Sequence, residues 1–339
     1  MKRLANRDRP PLPPCPERGD VLAFHRQLPA YAPTRLVEAP LLAKEAGVRR
    51  VVVKDESNRM GLPAFKILGA SWATYRALLD HTGRPPGTPL DDLAGTAVRL
   101  TTATDGNHGR AVAVMARHLG IPARIFVPAG TTRNRIDAIT GEGAECVVVD
   151  GTYDDAVEAA AATGDLVVSD TSWPGYEQVP QWVIEGYTTI FEEVDIVPDV
   201  LVVPIGVGAL AAAVAQWYRC RDLPVRLVGV EPVDADCVLA SVAAGEPVEV
   251  PGPHRSVMAG LNCGRPSLVA WPWVHGGFDA FLAIEDAWAL DGMEALARDG
   301  VTSGESGAAG AGALLADPVF VAGSEDATVL LLSTEGRTS

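Results

Sequence analysis

The sequence predicts an α/β protein in which helices pack against parallel sheets. Strand-like apolar runs alternate with helix-like stretches along most of the chain. The strand-like runs consist almost entirely of Val, Ile and Leu, as expected when both faces of a sheet are buried. With 339 residues, 47% of them hydrophobic, the chain can form one large domain or two moderate ones.

The elements follow one another in a regular order. The first 45 residues are Pro-rich and predicted to be irregular, "VRRVVVKDES" is a strand, and residues 63–80 have helical spacing. "AVRLTTATDG" is a strand, and the helix "NHGRAVAVMARHLG" ends at Gly120. Strands "ARIFVPAG" and "AECVVVDG" each precede a helix. Strand "DLVVSDTSW" precedes one helix from about Val179 to Val194. "DVLVVPIGVG", "ALAAAVAQWYR" and "VRLVGVEPV" then form strand, helix and strand.

Composition excludes several classes of function. A formal charge of -15 argues against binding to nucleic acid or to an anionic membrane. The apolar run "LVVPIGVGALAAAVAQW" is interrupted by Pro and Gly, so it reads as a buried strand and helix. The N-terminus has no apolar segment typical of a secretory signal. Five scattered cysteines without a CxxC pair predict neither a disulfide framework nor a metal site, and favour a soluble, cytoplasmic protein.

Lys66 is the first candidate functional residue. The chain has 24 arginines but four lysines, and none follows Lys66. A buried lysine can lose its proton and attack a carbonyl, whereas arginine stays protonated. Lys66 lies in the apolar stretch "PAFKILGAS", which is consistent with a Schiff-base lysine near a helix start. An ordinary helix lysine that reaches water is the alternative.

The stretch "TTATDGNHGR" combines a strand end, a Gly turn and a helix start near Asn107. Free N–H groups at a helix start suit an anion such as a carboxylate. Asp105 would repel that anion, so it either handles a proton, binds an ammonium group or caps the helix. His108 is a catalytic candidate or a structural hydrogen-bonding residue.

The stretch "VVPIGVGALAAAV" predicts a phosphate-binding turn. A strand leads into Gly206-Val207-Gly208 and then into a helix, so N–H groups could approach a phosphate. Gly206-x-Gly208-x-x-Ala211, with Glu231 ending the next strand, also resembles a dinucleotide fingerprint. An NAD-binding oxidoreductase therefore stays open on these residues, as does a structural turn.

Three polar turns follow strands or Gly-rich segments. They are "SDTSWPGY" with Asp170, "SGESGAAG" with Glu305 and Ser306, and "LLLSTEG" with Ser333 and Thr334. Ligands bind at the carboxyl ends of parallel strands. Each turn is either part of such a site or only a cap.

Eight motifs follow one another along the chain: "KDES…AFKILGAS", "ATDGNHG", "SDTSWPGY", "GVG", "VGVEP", "MAGLNCG", "SGESGAAG" and "LLSTEG". Taken in this order, they resemble the motifs of the fold-type II pyridoxal-phosphate enzymes, the tryptophan synthase β family. The resemblance runs from about Leu28 to Ser339. The "TDGNH", "SDTSWPGY" and "STEG" elements are most similar to the subgroup of ammonia-lyases that act on diaminopropionate. The resemblance implies two open, twisted, mostly parallel sheets flanked by helices. It implies a large cofactor-binding domain from residues 1–90 and 175–339, and a small mobile domain at 91–174.

The resemblance also implies a role for each candidate. Lys66 would hold pyridoxal 5′-phosphate covalently and move the α-proton, while Asp105 and Asp170 would contact substrate amines or act as acid and base on its two faces. Thr104, Gly106 and His108 would bind the substrate carboxylate. The other cofactor contacts would be Phe65, Asn107, Gly206, Val207, Gly208, Ala209, Glu305 and, at the pyridine nitrogen, Ser333 or Thr334.

The implied reaction is α,β-elimination of ammonia from 2,3-diaminopropionate, giving pyruvate and a second ammonia. A homodimer is usual for the resembled family. A serine or threonine dehydratase, or a β-replacement synthase acting on another β-substituted alanine, is the alternative within the family. A degenerate relative without cofactor is the non-enzyme alternative, which the intact Lys66 and Gly turn disfavour.

Overall fold

The protein is built on two β-sheets. Its structure is a computed structural model that describes residues 1–104 and 106–337. The strands are β1 (Lys2–Ala5), β2 (Leu36–Glu38), β3 (Arg50–Asp55), β4 (Leu100–Ala103), β5 (Ala123–Pro128), β6 (Glu145–Val149), β7 (Leu166–Val167), β8 (Val200–Pro204), β9 (Arg226–Pro232), β10 (Ala280–Ile284) and β11 (Thr328–Ser333). One sheet has seven strands in the order β1-β10-β9-β8-β11-β3-β2, and the other has four in the order β6-β5-β4-β7.

Helices cover these sheets. They are α1 (Val21–His25), α2 (Pro40–Ala46), α3 (Lys66–Thr82), α4 (Asn107–Leu119), α5 (Arg133–Thr140), α6 (Tyr153–Ala161), α7 (Gln178–Gly186), α8 (Thr189–Glu192), α9 (Ala209–Arg219), α10 (Cys237–Ala244), α11 (Trp271–Gly277), α12 (Asp286–Arg298), α13 (Glu305–Ala316) and α14 (Pro318–Ala322), with 3₁₀ turns at Leu90–Leu93 and Ala259–Leu261. No described helix is long and apolar enough to cross a membrane.

The strand directions confirm the predicted fold class. In the large sheet only the edge strands β1 and β2 run antiparallel to their neighbours, and every pair in the small sheet is parallel. Strands β8, β11 and β3 are adjacent and parallel. Their carboxyl ends therefore place the turns after Pro204, Ser333 and Asp55 along one edge of the large sheet. The small sheet lies within residues 91–174, although the two-domain division remains a prediction.

Helices α3 and α7 pack unusually closely. A Cβ atom on Gly186 would lie 2.5 Å from the carbonyl oxygen of Leu68, and one on Gly69 would lie 2.5 Å from a ring carbon of Tyr187. Only hydrogen atoms fit at these two positions. The two glycines thus allow the backbone of α7 to contact the helix that begins with Lys66.

Two predictions about secondary structure are wrong. The first 45 residues are not wholly irregular, because β1 and β2 form the edges of the large sheet, α2 packs on β3, and α1 packs on α3 and α8. The helix expected from Val179 to Val194 is two helices, α7 and α8. Thr188 separates them: its hydroxyl donates to the carbonyl of Glu185 at 2.6 Å, and hydrogen bonds between residues three apart tighten the chain there.

The expectation that the cysteines form no disulfide is also wrong. Cys15 and Cys220 are bonded, with their Cα atoms 5.8 Å apart, although 205 residues separate them in sequence. The N-terminal arm crosses the end of α9 and brings the two together. Cysteine spacing carries no information about such a long-range pair.

Candidate active site

A cavity of about 730 Å³ contains most of the candidate residues. Its walls come from the start of α3, the start of α4, the turn between β8 and α9, and the segment that follows β11. Residues from both sheets therefore meet around one space, as expected at the carboxyl ends of parallel strands.

Lys66 is the first residue of α3 and points into this cavity. Its Nζ donates to Oδ2 of Asp170 at 2.7 Å and lies 5.5 Å from the centre of the Phe65 ring. A quarter of the Lys66 side chain is exposed, against 9% for Asp170. The amine of Lys66 is thus accessible from the cavity, while apolar residues such as Phe65 pack beside it.

Asp170 is the carboxylate of the site. Burial disfavours its charged form, but Lys66 and then His108 outweigh burial and lower the pKa of Asp170 to about 2. Nδ1 of His108 lies 3.8 Å from Asp170, and its Nε2 is 2.9 Å from the carbonyl oxygen of Val168. This low pKa depends on the positive charge of Lys66, so neutralising the lysine would raise it.

The start of α4 forms a second wall. The hydroxyl of Thr104 accepts from the N–H groups of Gly106 and Gly109, at 2.9 and 3.2 Å. The Asn107 amide donates to Glu335 at 2.8 Å. Thr104, Asn107 and His108 line the cavity, whereas Gly106 does not. Asp105 lies outside the described residues, so its predicted role stays a prediction.

The turn from Gly206 to Ala209 is shaped to hold an anion. Gly208 has a φ of +100° and is the N-cap of α9, a conformation that favours glycine. A Cβ on Gly206 would lie 2.9 Å from the carbonyl oxygen of Gly260. Among the described residues, the N–H groups of Val207, Gly208 and Ala209 make no hydrogen bond, and all three line the cavity. These groups fit the phosphate of pyridoxal 5′-phosphate.

In the turns "LLLSTEG" and "SGESGAAG", only one of each pair of adjacent candidate residues reaches the cavity. Thr334 lines the cavity, whereas Ser333 does not and donates instead to the buried hydroxyl of Ser303 at 2.8 Å. Likewise Ser306 lines the cavity and Glu305 does not. Of these four predicted residues, Thr334 and Ser306 thus border the cavity and Ser333 and Glu305 do not; their predicted roles toward the cofactor stay predictions.

Glu231 is not placed to bind a ribose. It is 1% exposed, and its carboxyl oxygens accept from the N–H groups of Val238 and Leu239 at 2.8 Å each. Burial raises its pKa to about 8. Its function is thus to anchor the start of α10, which removes the acid on which the dinucleotide interpretation depended.

Comparison with known proteins decides between the remaining families. Residues 28–335 match the family model described as "Pyridoxal-phosphate dependent enzyme". The chain belongs to this family. The match confirms the family and the cofactor, pyridoxal phosphate, that the sequence motifs predicted, and the observed sheets agree with the predicted fold.

Curated relatives refine this placement. The chain is 37% identical to diaminopropionate ammonia-lyase of Escherichia coli K12 over 93% of its own length and 87% of the relative. It is 37% identical to the biosynthetic L-threonine dehydratase of Mycobacterium leprae, but over only 67% of its own length and 50% of that protein.

A solved structure of the Escherichia coli ammonia-lyase, in complex with an aminoacrylate-PLP azomethine reaction intermediate, superposes with a TM-score of 0.90. That match is 33% identical and covers all of this chain and 94% of the other. Tomato threonine deaminase, at 20% identity and a TM-score of 0.76, shares the fold.

Sequence reasoning did not single out several residues of the cavity. Glu335 lies within the quoted motif "LLSTEG", so its position was available as a signal. Arg135 and Tyr153 come from α5 and α6 beside the small sheet and also line the cavity. Nothing in their sequence context distinguishes them from surface residues.

Proposed function

We propose that this chain is a pyridoxal-phosphate-dependent ammonia-lyase that eliminates ammonia from 2,3-diaminopropionate and yields pyruvate and ammonia. One observation carries the proposal: identity to diaminopropionate ammonia-lyase extends over 93% of the chain and 87% of the relative. The dehydratase match leaves a third of this chain and half of the dehydratase unmatched.

The residues around the cavity fit the cofactor and would hold it as follows. Lys66 carries the amine for its aldehyde carbon, and the turn from Val207 to Ala209 receives its phosphate. Asn107 and Thr334 lie on the wall where its ring would be held. When bound, pyridoxal phosphate acts as the electron sink for the Cα of an amino-acid substrate.

The acids of the site suit a substrate with two amino groups. Asp170, held ionised beside Lys66, can bind a substrate ammonium group. Once the positive charge of Lys66 is withdrawn, burial raises the proton affinity of Asp170, so Asp170 can take up a proton from the substrate and return one to the departing amine. Asp105 is proposed as the corresponding group on the other face. Thr104 and His108, at the start of α4, are proposed to hold the substrate carboxylate near N–H groups.

The proposal also includes a cytoplasmic homodimer and a mobile small domain at residues 91–174. Two contacts that join the sheets support the idea of a closing movement: Lys66 with Asp170, and Asn107 with Glu335. Light scattering on the purified protein would give the mass, and a mass near the monomer's 35.6 kDa would refute the dimer.

A spectrum followed by product analysis tests the function. The purified protein should show an absorbance band at the edge of the visible range that borohydride removes, as expected for a cofactor bound to lysine as a Schiff base. Addition of 2,3-diaminopropionate should then give about one pyruvate and two ammonia molecules for each substrate consumed. K66A should lose the band and, with it, at least about 10³-fold in activity.

Serine, threonine and other β-substituted alanines are the comparison substrates. Faster turnover of serine or threonine than of diaminopropionate would identify a dehydratase. A bound cofactor with turnover only when a second nucleophile is present would identify a β-replacement synthase. Failure of the protein to take up pyridoxal phosphate would contradict the proposal as a whole.

A further inference from the structure

A buried hydroxyl group lies behind the site without an evident partner. Tyr187, at the end of α7, has no exposed surface. Among the described residues, no side chain or backbone group meets normal hydrogen-bond geometry with its Oη. Buried polar atoms are nearly always hydrogen-bonded, because an unsatisfied one is costly. This exception therefore calls for a physical reason.

The position of the ring supplies that reason. The Tyr187 ring packs edge-on against Phe65, with centroids 4.7 Å apart. Its Cε1 and Cζ atoms lie so close to Gly69 that no Cβ would fit there. Phe65 and Gly69 flank Lys66 on α3, and the contact of Gly186 with Leu68 fixes the backbone beside the tyrosine. Tyr187 is thus packed against the base of the Lys66 side chain from the protein interior.

Charges near the hydroxyl point to the same neighbour. Burial raises the pKa of Tyr187 well above its ordinary value, while the Lys66 ammonium opposes that rise and Asp170 adds to it. The phenol therefore stays neutral and can accept a hydrogen bond. The ammonium group of Lys66, the carboxylate of Asp170 and the phenol of Tyr187 therefore lie close together.

We propose that Tyr187 is a positioning residue for Lys66, its hydroxyl accepting a hydrogen bond from Nζ on the side opposite the cavity. In this arrangement Lys66 donates to Asp170, which lies 2.7 Å from Nζ, and to the hydroxyl of Tyr187, so two acceptors fix the position of the amine. This inference rests on the proposed function only for its catalytic consequence, because the contact itself belongs to the protein without cofactor.

Chemical labelling of the cofactor-free protein tests the contact. Acetic anhydride at a range of pH values, with mass spectrometry, reports the reactivity of each lysine, and the exposed Lys44 serves as internal reference. In Y187F the Lys66 ammonium loses one acceptor and deprotonates more readily. We expect Lys66 to react about three- to tenfold faster relative to Lys44 at the same pH.

A second buried tyrosine provides the control. Tyr218 lies on α9, is 2% exposed and lines no part of the cavity. Y218F should leave the labelling of Lys66 unchanged. Equal Lys66 labelling in Y187F, Y218F and the parent would overturn the proposal.

Stability gives an independent measurement that does not depend on labelling. If Tyr187 and Lys66 interact, the effects of Y187F and K66M on the free energy of unfolding are not additive in the double variant. Additive effects, with a Y187F protein more stable than the parent, would mean that the hydroxyl is simply unsatisfied.

Activity separates this inference from the proposed function. In the loaded enzyme, Y187F should lower kcat on 2,3-diaminopropionate about tenfold with KM little changed. Altered labelling in a protein that does not turn over diaminopropionate would leave the Tyr187 contact standing and refute the substrate. Normal turnover of diaminopropionate with unaltered labelling of Lys66 would support the substrate and refute the Tyr187 contact.

Discussion

At the scale of single residues, the central feature is a lysine that is both reachable and paired. Lys66 contacts Asp170 at 2.7 Å, so in the cofactor-free protein each charge stabilises the other. The same pairing gives Asp170 two states, ionised beside an ammonium group and more easily protonated once that charge is withdrawn. A single carboxyl group can thus first bind a cation, then take up a proton from the substrate and pass one to the departing amine.

We expect D105N and D170N to affect opposite enantiomers of 2,3-diaminopropionate. Each acid is proposed to serve one face of the bound substrate, so each variant should lose about 10²-fold or more in kcat on one enantiomer and less on the other. D165N, which alters an ion pair with Arg99 away from the cavity, is the control. Equal losses on both enantiomers would argue against separate faces.

At the scale of elements, α3 and α7 form one unit that carries the lysine. Gly69 and Gly186 let the two helices touch, and Tyr187 continues this contact toward Lys66. A buried ion network also anchors the segment before α3: Arg59 bonds to Glu56 and Glu193, and Lys54 bonds to Glu193. The start of α3 is thus held by the ion network, which includes Lys54 of β3, and by the close packing against α7.

Replacing Gly186 by Ala should destabilise the protein by about 1–3 kcal/mol, because the new methyl group would meet backbone atoms that cannot move aside. Gly310, in the middle of α13, is the matched control, since a methyl group there meets only ordinary contacts of 3.5 Å or more. G310A should be neutral or slightly stabilising through helix propensity. Urea unfolding measures both, and equal effects would contradict the close-packing argument.

At the scale of the whole molecule, the site exists only where the two sheets meet. Asn107 and Asp170 lie beside the small sheet, whereas Lys66, Glu335 and the turn after β8 belong to the large one. The N-terminal arm also spans the molecule, as β1 at the sheet edge and through the bond from Cys15 to Cys220. Because residues from both sheets line the cavity, partial unfolding of either sheet would disrupt the site.

His25 should make that stability depend on acid. It is fully buried between Thr189 and the carbonyl of Leu68, and burial lowers its pKa from 6.5 to about 3. The unfolded chain binds this proton more readily, so the stabilisation is complete above pH 6.5 and declines as the pH falls toward 3.

Between pH 7 and pH 5 the parent should lose about 2 kcal/mol more of its free energy of unfolding than H25Q does. Glutamine removes the titrating group and keeps an amide that can donate to the carbonyl of Leu68. Denaturant unfolding at the two pH values gives the comparison. Parallel losses in parent and variant would show that folding does not lower the pKa of His25.

The sequence by itself determined the features that depend on local chemistry. Alternating strands and helices gave the α/β class, and the Gly turn at 206–208 predicted a phosphate-binding loop. Lys66 stood out because lysine is rare in this chain and this one lies in an apolar stretch. These are properties of neighbouring residues, and they survive in any fold that accommodates them.

Only the tertiary structure decided between adjacent candidates and between distant partners. Successive side chains at a strand end point to opposite sides, so Thr334 faces the cavity and Ser333 faces Ser303. The bond from Cys15 to Cys220 and the packing of Tyr187 behind Lys66 join residues more than 100 positions apart. Pleat register and long-range packing fix such choices, because they are set by how whole elements meet and not by the residues beside them in sequence.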